Sequence, residues 1–530
     1  MAADTVAPDP ARSRSETKVG PSADDIIAAL PRRIHLAVER QIVGRAGKIA
    51  LVDDRQSLTY GALQSALRST AEQLSSLGVR GGDRIMIVSE NCNQMAVLLL
   101  AASKLDAWTI VVNPRLSPRE LDQIRDHSGS RRIFLTASVS PEAASHACRY
   151  HASTVDIPGL GDIAVTSQNE AAIPEPVHAD PARQVAVLIY TSGTTGAPKG
   201  VMLTHENLLF SAQATALIRR VTSDDKLYVV LPISHIVGIS LLIMTFLAGA
   251  TARLVSRYEP ARMMEALAHE GITIVNGVPA TYQRLIEHKV VAGLTTIEIG
   301  SLRLIAVAGA PLDLDLKRKV ERELGLPLLN GYGITECAPA LAGVRLDAPR
   351  TDDAVGTLCP GIEARLISSE GAVCRDGEVG ELHVRGLNVM LGYYRAPELT
   401  AKAIDPEGWF NTGDLGRFDG DVLYIAGRTK ELIIRSGFNV YPAEVEGVLS
   451  THPEVVQCAV VGRKVDGNEE VVAFIRLLPG SRMTPDDFAR HAAPLLTAYK
   501  RPSQIIIVDS LPSTSTGKIL EHKLAESFRA

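Results

Sequence analysis

The residue types that could bind a phosphate group are concentrated in one string, residues 190–201, which reads YTSGTTGAPKGV. It holds four small hydroxyl side chains, two glycines before Pro198, and Lys199. Glycines allow backbone N–H groups to turn toward an anion, hydroxyls add donors, and a lysine neutralises part of a polyphosphate charge. The string therefore predicts a phosphate-binding loop. It is not a Walker A loop, because Pro198 precedes Lys199 and Gly200, not Ser or Thr, follows it.

The elements that must position this loop are also predicted by the sequence. The apolar run AVLIY at residues 186–190 predicts a strand directly before it. Between about residues 84 and 330, β-branched runs alternate with amphipathic helical stretches, which is typical of mainly parallel sheets covered by helices. After about residue 355, short strands separated by Gly, Asp and Pro predict an antiparallel or barrel-like unit. The C-terminal segment predicts a compact α+β domain, so the fold class is α/β.

Composition excludes several classes of protein. The chain has 530 residues, of which 46% are hydrophobic and 22% charged, and these are ordinary values for a globular protein of several domains. With 55 Lys and Arg against 60 Asp and Glu, the net charge of −5 argues against a nucleic-acid partner. The six cysteines include no CxxC pair, so they indicate reduced thiols and neither a zinc site nor a disulfide framework.

Two segments bear on the location of the protein. Residues 1–24 lack the apolar stretch of a signal peptide, so we expect a disordered tail and a cytoplasmic protein. Residues 236–252 carry no charge, but this stretch falls just short of the ~18–20 residues that a membrane-spanning helix needs. Its Gly, Ser and Thr residues favour a buried helix that runs into a strand, and no transmembrane segment is expected.

Further motifs follow in a fixed order: LTYGAL (58–63), LPISH (231–235), NGVPATY (276–282), VAGAPL (307–312), NGYGITE (330–336), GELHVRG (380–386), WFNTGDL (409–415), AGRTKELIIRSGFNVYPAEVE (426–446) and LPSTSTGKI (511–519). In this order and spacing the sequence resembles the adenylate-forming (ANL) superfamily, and most closely its AMP-forming acyl-CoA synthetases, or carboxylate–CoA ligases. The resemblance implies a large N-terminal domain at residues 25–428 with a barrel-like part at about 355–428. A small, mobile C-terminal cap domain is expected at residues 429–530.

The same resemblance assigns a nucleotide site. It implies that the β- and γ-phosphates of ATP are held by Thr191, Ser192, Gly193, Thr194, Thr195 and Lys199. The adenine is expected to contact Gly309, Ala310, Pro311, Asn330, Gly331 and Tyr332, with Tyr332 stacked on the ring. We expect Thr335 to contact the α-phosphate, Glu336 to bind Mg²⁺ together with phosphate oxygens, and Asp414 and Arg428 to bind the ribose.

Catalysis is predicted to depend on Lys518, in the Ser- and Thr-rich loop near the C-terminus. Attack of a carboxylate on the α-phosphate brings two anions together, and a fixed cation lowers that barrier. In the superfamily the cap domain then rotates about a hinge, which corresponds here to Lys430. The rotation is expected to bring Ser436, Gly437 and Phe438 to the active site, where Gly437 leaves room for the thiol of coenzyme A.

The acyl pocket is expected to involve His235, Val278, Gly331 and Cys337. The run SHIVGISLL at residues 234–242 contains no carboxylate, which argues against an amino-acid substrate. The helix after His235, the segment VAGAP and residues 337–339 supply no cation, which argues against a dicarboxylate. We therefore expect an apolar monocarboxylic acid, either aryl, arylpropenoyl or aliphatic, from fatty acid or aromatic acid metabolism.

The predicted function is ATP-dependent formation of an acyl-adenylate, with release of pyrophosphate, and transfer of the acyl group to coenzyme A. The expected small-molecule partners are thus the acid, ATP with Mg²⁺, and coenzyme A, bound by a monomer or homodimer. The main alternative is transfer to a carrier-protein phosphopantetheine. A luciferase-like oxygenase is a weaker alternative, and so is a non-catalytic acyl-ligand sensor, which would be expected to lack Lys518, Glu336 or Asp414.

Overall fold

A computed structural model describes residues 14–15, 21–192, 198–435, 438–465, 468–513 and 519–527. Strands and helices are numbered here in chain order. Within the described ranges the helices are α1 (Ala23–Ala29), α2 (Leu36–Glu39), α3 (Ile42–Arg45), α4 (Tyr60–Ser76), α5 (Asn93–Lys104), α6 (Pro118–Ser128), α7 (Pro141–Arg149), α8 (His205–Arg219), α9 (Ile236–Ala248), α10 (Pro260–His269), α11 (Pro279–Val291), α12 (Leu314–Leu324), α13 (Pro397–Ala403), α14 (Pro442–Ser450), α15 (Pro485–Ala492) and α16 (Glu521–Glu526).

The larger sheet has, among these residues, fourteen strands. Across the sheet they are β1 (Arg14–Ser15), β18 (Ile362–Ile367), β19 (Val379–Gly386), β21 (Phe410–Asp419), β22 (Val422–Arg428), β17 (Gly356–Leu358), β16 (Ala340–Gly343), β15 (Leu328–Gly333), β14 (Leu304–Val307), β13 (Ile274–Gly277), β11 (Lys226–Val229), β12 (Thr251–Leu254), β2 (Ile49–Val52) and β3 (Ser57–Thr59). The run from β15 to β2 is parallel, and the run from β1 to β15 is antiparallel. The antiparallel unit predicted after about residue 355 is present, and through β16 and β17 it is continuous with the parallel strands.

The second sheet has, in the described part of the chain, eight strands. In order they are β20 (Gly392–Tyr393), β10 (Pro198–Thr204), β9 (Val185–Ser192), β5 (Trp108–Val112), β4 (Arg84–Val88), β6 (Arg132–Leu135), β8 (Gly161–Val165) and β7 (Ser153–Ile157). The central strands β9, β5, β4 and β6 are parallel, as predicted, whereas both edges are antiparallel. The sheet is therefore mixed.

Helices α5, α8 and α9 belong to one hydrophobic core that also takes in strands of both sheets. Almost every residue of α9 is buried, and β12 follows it directly. The prediction that residues 236–252 form a buried helix leading into a strand is therefore confirmed. Within the described ranges, no helix has the length and apolar character needed to cross a membrane.

The C-terminal part has hydrophobic cores of its own, built on β25 (Val455–Val465), β26 (Asn468–Leu477) and β27 (Gln504–Ile507). Helices α14 and α15 contribute Val445, Leu449 and Phe488 to one of these cores. A separate hairpin precedes this sheet, formed by β23 (Ile433–Arg435) and β24 (Phe438–Val440). The compact α+β unit predicted at the end of the chain is thus present.

The start of the chain differs from the prediction. Residues 1–24 were expected to be a disordered tail, but helix α1 begins at Ala23 and its N-cap is Ser22. The side chains of Ser22 and Asp25 form a reciprocal capping box, which satisfies backbone donors at the helix start. Arg14–Ser15 also pairs with β18. The ordered fold therefore includes part of the predicted tail.

Candidate active site

The predicted phosphate loop joins β9 to β10, and these two strands pair in the register Thr191 with Lys199. Gly193, Thr194 and Thr195 lie outside the described residues, as does the side chain of Ser192. The antiparallel pairing still fixes where the loop leaves and rejoins the sheet. Thr191 and Lys199 therefore stand opposite each other at its base.

Glu336 lies near this base, in a 3₁₀ turn (Thr335–Cys337) that follows β15. The hydroxyl of Tyr393 donates a hydrogen bond to Glu336 Oε1 at 2.9 Å, and the ammonium of Lys199 lies 5.8 Å from the centre of the Tyr393 ring. Burial and the neighbouring Glu336 carboxylate raise the pKa of Tyr393, so its hydroxyl stays a donor. Tyr393 thus links Lys199 to Glu336.

Like Tyr393, Asn388 is a residue at this turn that the sequence analysis did not predict. Its side chain is buried, and its amide nitrogen donates to the carbonyl oxygens of Cys337 at 3.1 Å and Ala340 at 2.9 Å. These bonds hold the backbone on both sides of residues 338–339. The signal in the sequence is a lone amide within the apolar run LNVM at residues 387–390.

The predicted ribose ligands come together on the antiparallel strands. Asp414 on β21 faces Arg428 on β22, and Arg428 Nε lies 3.0 Å from Asp414 Oδ1. The hydroxyl of Tyr332 donates to Asp414 Oδ2 at 2.5 Å. Burial, with Asp414 as the next cause, raises the pKa of Tyr332. A carboxylate has about four lone-pair sites, so Asp414 keeps acceptor capacity for two hydroxyls.

The predicted adenine contacts come from the carboxyl ends of two adjacent parallel strands, β14 and β15. Gly309 has a φ of +85°, a conformation that favours glycine, and a Cβ there would lie 3.8 Å from Val278. Ala310 and Pro311 follow it in the same loop. Asn330 differs from its predicted neighbours, because its amide nitrogen donates to the carbonyls of residues 353 and 354. The Asn330 side chain thus stabilises the backbone at residues 353–354.

The residues expected at the acyl group differ in their exposure to solvent. His235 is accessible to solvent at the N-terminus of α9, but the protein around it desolvates the ring and lowers its pKa. Val278 is half-buried. The thiol of Cys337 is fully buried, and burial raises its pKa far above the usual range. Cys337 therefore has no face open to solvent.

A cation that the sequence analysis did not consider lies beside Gly331. Arg219 Nη2 is 3.2 Å from the position that a Cβ on Gly331 would occupy. The exclusion of a cation considered only the helix after His235, VAGAP and residues 337–339. It stands for those three segments, but Arg219, at the end of α8, is a cation that comes from another element.

The C-terminal candidates are only partly described. Lys430 is exposed in the turn after β22, where the chain leaves the large sheet. Phe438 is 54% exposed and stacks on Tyr499, with ring centres 4.7 Å apart. Ser436, Gly437 and Lys518 lie outside the described residues.

The sequence matches the AMP-binding enzyme family over residues 38–394, and the C-terminal domain of AMP-binding enzymes over residues 444–518. The first match alone covers more than half of the chain. This protein belongs to the AMP-binding enzyme family. The resemblance to adenylate-forming enzymes is thereby confirmed.

Relatives of this AMP-binding enzyme include named CoA ligases. It is 34% identical to a feruloyl-CoA synthase of Amycolatopsis sp, covering 89% of this chain and 94% of the relative. It is 32% identical to 4-coumarate–CoA ligase 3 of Oryza sativa subsp. japonica, and the match covers 90% of this chain and 88% of the relative.

Solved structures of o-succinylbenzoate CoA synthetase (MenE) from Bacillus subtilis have the same fold and are 29% identical. The complex with the acyl-adenylate OSB-AMP matches with a TM-score of 0.79 and covers 92% of this chain and 97% of MenE. The complex with ATP and magnesium ion matches with a TM-score of 0.78, and the match covers 93% of this chain and 99% of MenE. The predicted α/β architecture is thereby confirmed.

The geometry gives this AMP-binding enzyme two polar centres at the end of β15. One joins Lys199, Tyr393 and Glu336, and the other joins Tyr332, Asp414 and Arg428. The first combines a cation with a carboxylate beside the phosphate loop, and the second offers a carboxylate acceptor beside an aromatic ring. Such an arrangement can hold the two ends of a nucleoside triphosphate.

Proposed function

We propose that this AMP-binding enzyme converts a carboxylic acid and ATP to an acyl-adenylate and pyrophosphate, and then transfers the acyl group to coenzyme A with release of AMP. It is an AMP-forming carboxylate–CoA ligase. The observation that carries the proposal is that one short segment, residues 332–336, reaches both polar centres. Tyr332 contacts Asp414, and four residues later Glu336 contacts Tyr393 beside Lys199.

ATP spans the two polar centres in this proposal. Thr191, Lys199 and the loop between them hold the β- and γ-phosphates, and Thr335 contacts the α-phosphate. Asp414 accepts hydrogen bonds from the ribose, with Arg428 beside it. The ring of Tyr332 and the backbone at residues 309–311 enclose the adenine.

Mg²⁺ fits the donor set around Glu336. Among the described residues, no group of three or more His, Cys, Asp or Glu side chains could hold a metal ion by itself. One carboxylate is sufficient when phosphate oxygens complete the shell, as Mg²⁺ prefers. When bound, the ion would neutralise phosphate charge. Tyr393 orients the Glu336 carboxylate by donating to Oε1.

The cap domain supplies different residues to the two half-reactions. Lys518 touches the oxygens that share charge as the substrate carboxylate attacks the α-phosphate, and pyrophosphate leaves. A rotation of the cap domain about Lys430 then brings residues 436–438 to the site. The exposed position of Lys430, after the last strand of the large sheet, supports a hinge there.

The acyl group lies between His235, Val278 and Gly331 in this proposal. Desolvation lowers the pKa of His235, so the ring is neutral at pH 7 and compatible with an apolar substrate body. The full burial of Cys337 limits its part to packing behind this surface. A monomer or homodimer in the cytoplasm stays a prediction.

The test measures pyrophosphate release with a panel of aryl and aliphatic acids, with and without coenzyme A. We expect acid-dependent pyrophosphate release, followed by acyl-CoA and AMP when coenzyme A is present. A parallel assay replaces coenzyme A with a phosphopantetheinylated carrier protein. Acylation of the carrier alone would contradict the proposed acceptor. Absence of acid-dependent pyrophosphate release would contradict the proposed reaction.

A further inference from the structure

Arg219 is a buried cation with an incomplete set of partners. It is the last residue of α8 and is 5% exposed. Among the described residues, its side chain forms one hydrogen bond, a long contact from Nη1 to Asn276 Oδ1 at 3.5 Å, and Nε has no partner. A planar guanidinium carries five N–H donors, so most of its donor capacity is unused.

The groups that face Arg219 do not supply a negative charge. Its titratable neighbours are Tyr282 and Cys359. The Tyr282 hydroxyl donates to the carbonyl of Ala306 at 2.7 Å, and burial raises its pKa. Burial raises the pKa of Cys359 to about 12. Both groups are neutral at pH 7, and in the part of the chain that the structure describes no carboxylate faces the guanidinium.

Arg219 is nevertheless charged at neutral pH. Burial lowers its pKa to about 10, which leaves the guanidinium protonated. The C-terminus of α8 favours a cation, but a buried charge without an anionic partner is costly. The pairing that is absent within the described chain would be supplied by a ligand.

The position of the guanidinium beside Gly331 indicates the part of the site at which this ligand would bind. Nη2 lies 3.2 Å from the Cβ position of Gly331, and Nη1 contacts Asn276, two residues before Val278. Gly331 and Val278 are both residues of the proposed acyl site. A side chain on Gly331 would crowd the guanidinium, and glycine leaves this approach open.

We propose that the acid activated by this enzyme carries a second carboxylate, which pairs with Arg219 at the far end of the acyl site. This inference rests on the proposed function and refines it. The substrate has an apolar body between His235 and Gly331, one carboxylate directed at ATP, and another at the guanidinium. Arg219 is thus a specificity-determining residue.

The test compares α,ω-dicarboxylic acids and aryl dicarboxylic acids with their own monomethyl esters, which keep the length but lose one charge. Pyrophosphate release gives kcat/KM for each member of a pair. For the pair whose diacid has the highest kcat/KM, we expect the wild-type kcat/KM for the diacid to exceed that for the monoester by at least about thirtyfold. Truncating one partner of a buried charge pair has effects of this size or larger. In Arg219→Met we expect the preference to vanish, through a higher KM for the diacid and an unchanged KM for ATP.

Arg220→Met is the matched control. The Arg220 side chain is 63% exposed and pairs with Asp347 at 2.6 Å, so its loss should leave the diacid preference intact. Arg219→Lys keeps the charge and should retain part of the preference, which provides a second variant if the methionine variant is unstable.

Several results would overturn the inference. One is a wild-type preference for the monoesters or for acids without a second carboxylate, including hydroxylated aryl acids. Another is lower thermal stability in Arg219→Met with the diacid preference unchanged, which would make Arg219 a structural residue. In either case pyrophosphate is still released, so the proposed ligase function stands. Absence of release with every acid would instead remove the proposed function and this inference with it.

Discussion

The hydroxyl of Tyr332 donates a hydrogen bond to Oδ2 of Asp414 at 2.5 Å, although 82 positions separate the two residues. Tyr332 lies on β15, the strand at which the parallel run of the large sheet meets the antiparallel run, and Asp414 lies in the antiparallel run. Because Asp414 is only 3% exposed, this bond and Arg428 fix the carboxylate in place. The proposed nucleoside end of the site thus depends on the two runs forming one continuous sheet.

Asp414→Asn should weaken ATP binding. The variant loses a charged acceptor, and hydrogen bonds to charged groups contribute about 1.5–3 kcal/mol each. We expect KM for ATP to rise roughly tenfold to a hundredfold, measured by pyrophosphate release at saturating acid. Tyr332→Phe keeps the ring and the carboxylate, and should raise KM for ATP less. An equal rise in KM for ATP in the two variants would contradict a direct contact between Asp414 and the ribose.

Glu336→Gln should change the dependence on Mg²⁺. The amide is a weaker ligand than the carboxylate, so we expect the Mg²⁺ concentration for half-maximal velocity to rise at least about tenfold. Titration of Mg²⁺ at fixed ATP measures this shift. Glu398→Gln is the control, because Glu398 is an exposed residue at the start of α13. An unchanged Mg²⁺ profile in Glu336→Gln would rule out Glu336 as a ligand.

Lys518→Ala and Gly437→Leu should separate the two half-reactions. A cation in contact with the reacting oxygens is of order 4 kcal/mol at an effective dielectric of about 20, so Lys518→Ala should slow pyrophosphate release roughly a thousandfold. Thioester formation from a supplied acyl-adenylate should persist. Gly437→Leu should show the reverse pattern. Equal loss of both steps in either variant would refute this division of roles.

Asn388→Ala should destabilise the turn that carries Glu336. The buried carbonyl of Cys337 and the partly buried carbonyl of Ala340 each lose a donor, and an unsatisfied buried polar group costs about 1–3 kcal/mol. We expect a lower thermal midpoint and a lower kcat, both measured on the full chain. Tyr393→Phe, which removes a bond to the Glu336 side chain, should affect the Mg²⁺ profile more than the midpoint. A thermal midpoint equal to wild type in Asn388→Ala would contradict this role.

Glu446 should make the stability of the C-terminal unit fall as pH rises. Burial, followed by the nearby Glu521, raises the pKa of Glu446 from its ordinary value of 4.5 to about 8. The folded state therefore holds a proton that the unfolded state releases above pH 4.5, and stability is lost between about pH 4.5 and 8. Hydrogen exchange of β25, corrected for intrinsic rates, measures this loss.

The variant Glu446→Gln should flatten that dependence, because the amide does not titrate. Glu444→Gln is the matched control, since Glu444 is exposed on the same helix. If Glu446→Gln kept the wild-type dependence on pH, another group would be responsible.

Local signals were sufficient for many elements. Helix α6 lies in the region where the sequence predicts alternating strands and helices, and local residues bound it, since Ser117 and Glu120 form a capping box and Gly129 ends the helix. The uncharged stretch from residue 236 gives α9 and β12, since its period and its Gly and Thr residues suit a buried helix and strand. The edges of both sheets were harder to predict, because strand order depends on pairings between distant segments.

The sequence by itself determined the family and many of the elements, because loop chemistry and hydrophobic periodicity are set by consecutive residues. The tertiary structure decided which side chains meet. It placed Tyr393 on Glu336, Asn388 behind the same turn, and Arg219 at Gly331. These contacts join residues from separate elements, and burial is a property of the packed molecule. A cation beside the proposed acyl site is therefore visible only in the tertiary structure, where the Arg219 side chain of α8 reaches Asn276 on β13 and Gly331 on β15.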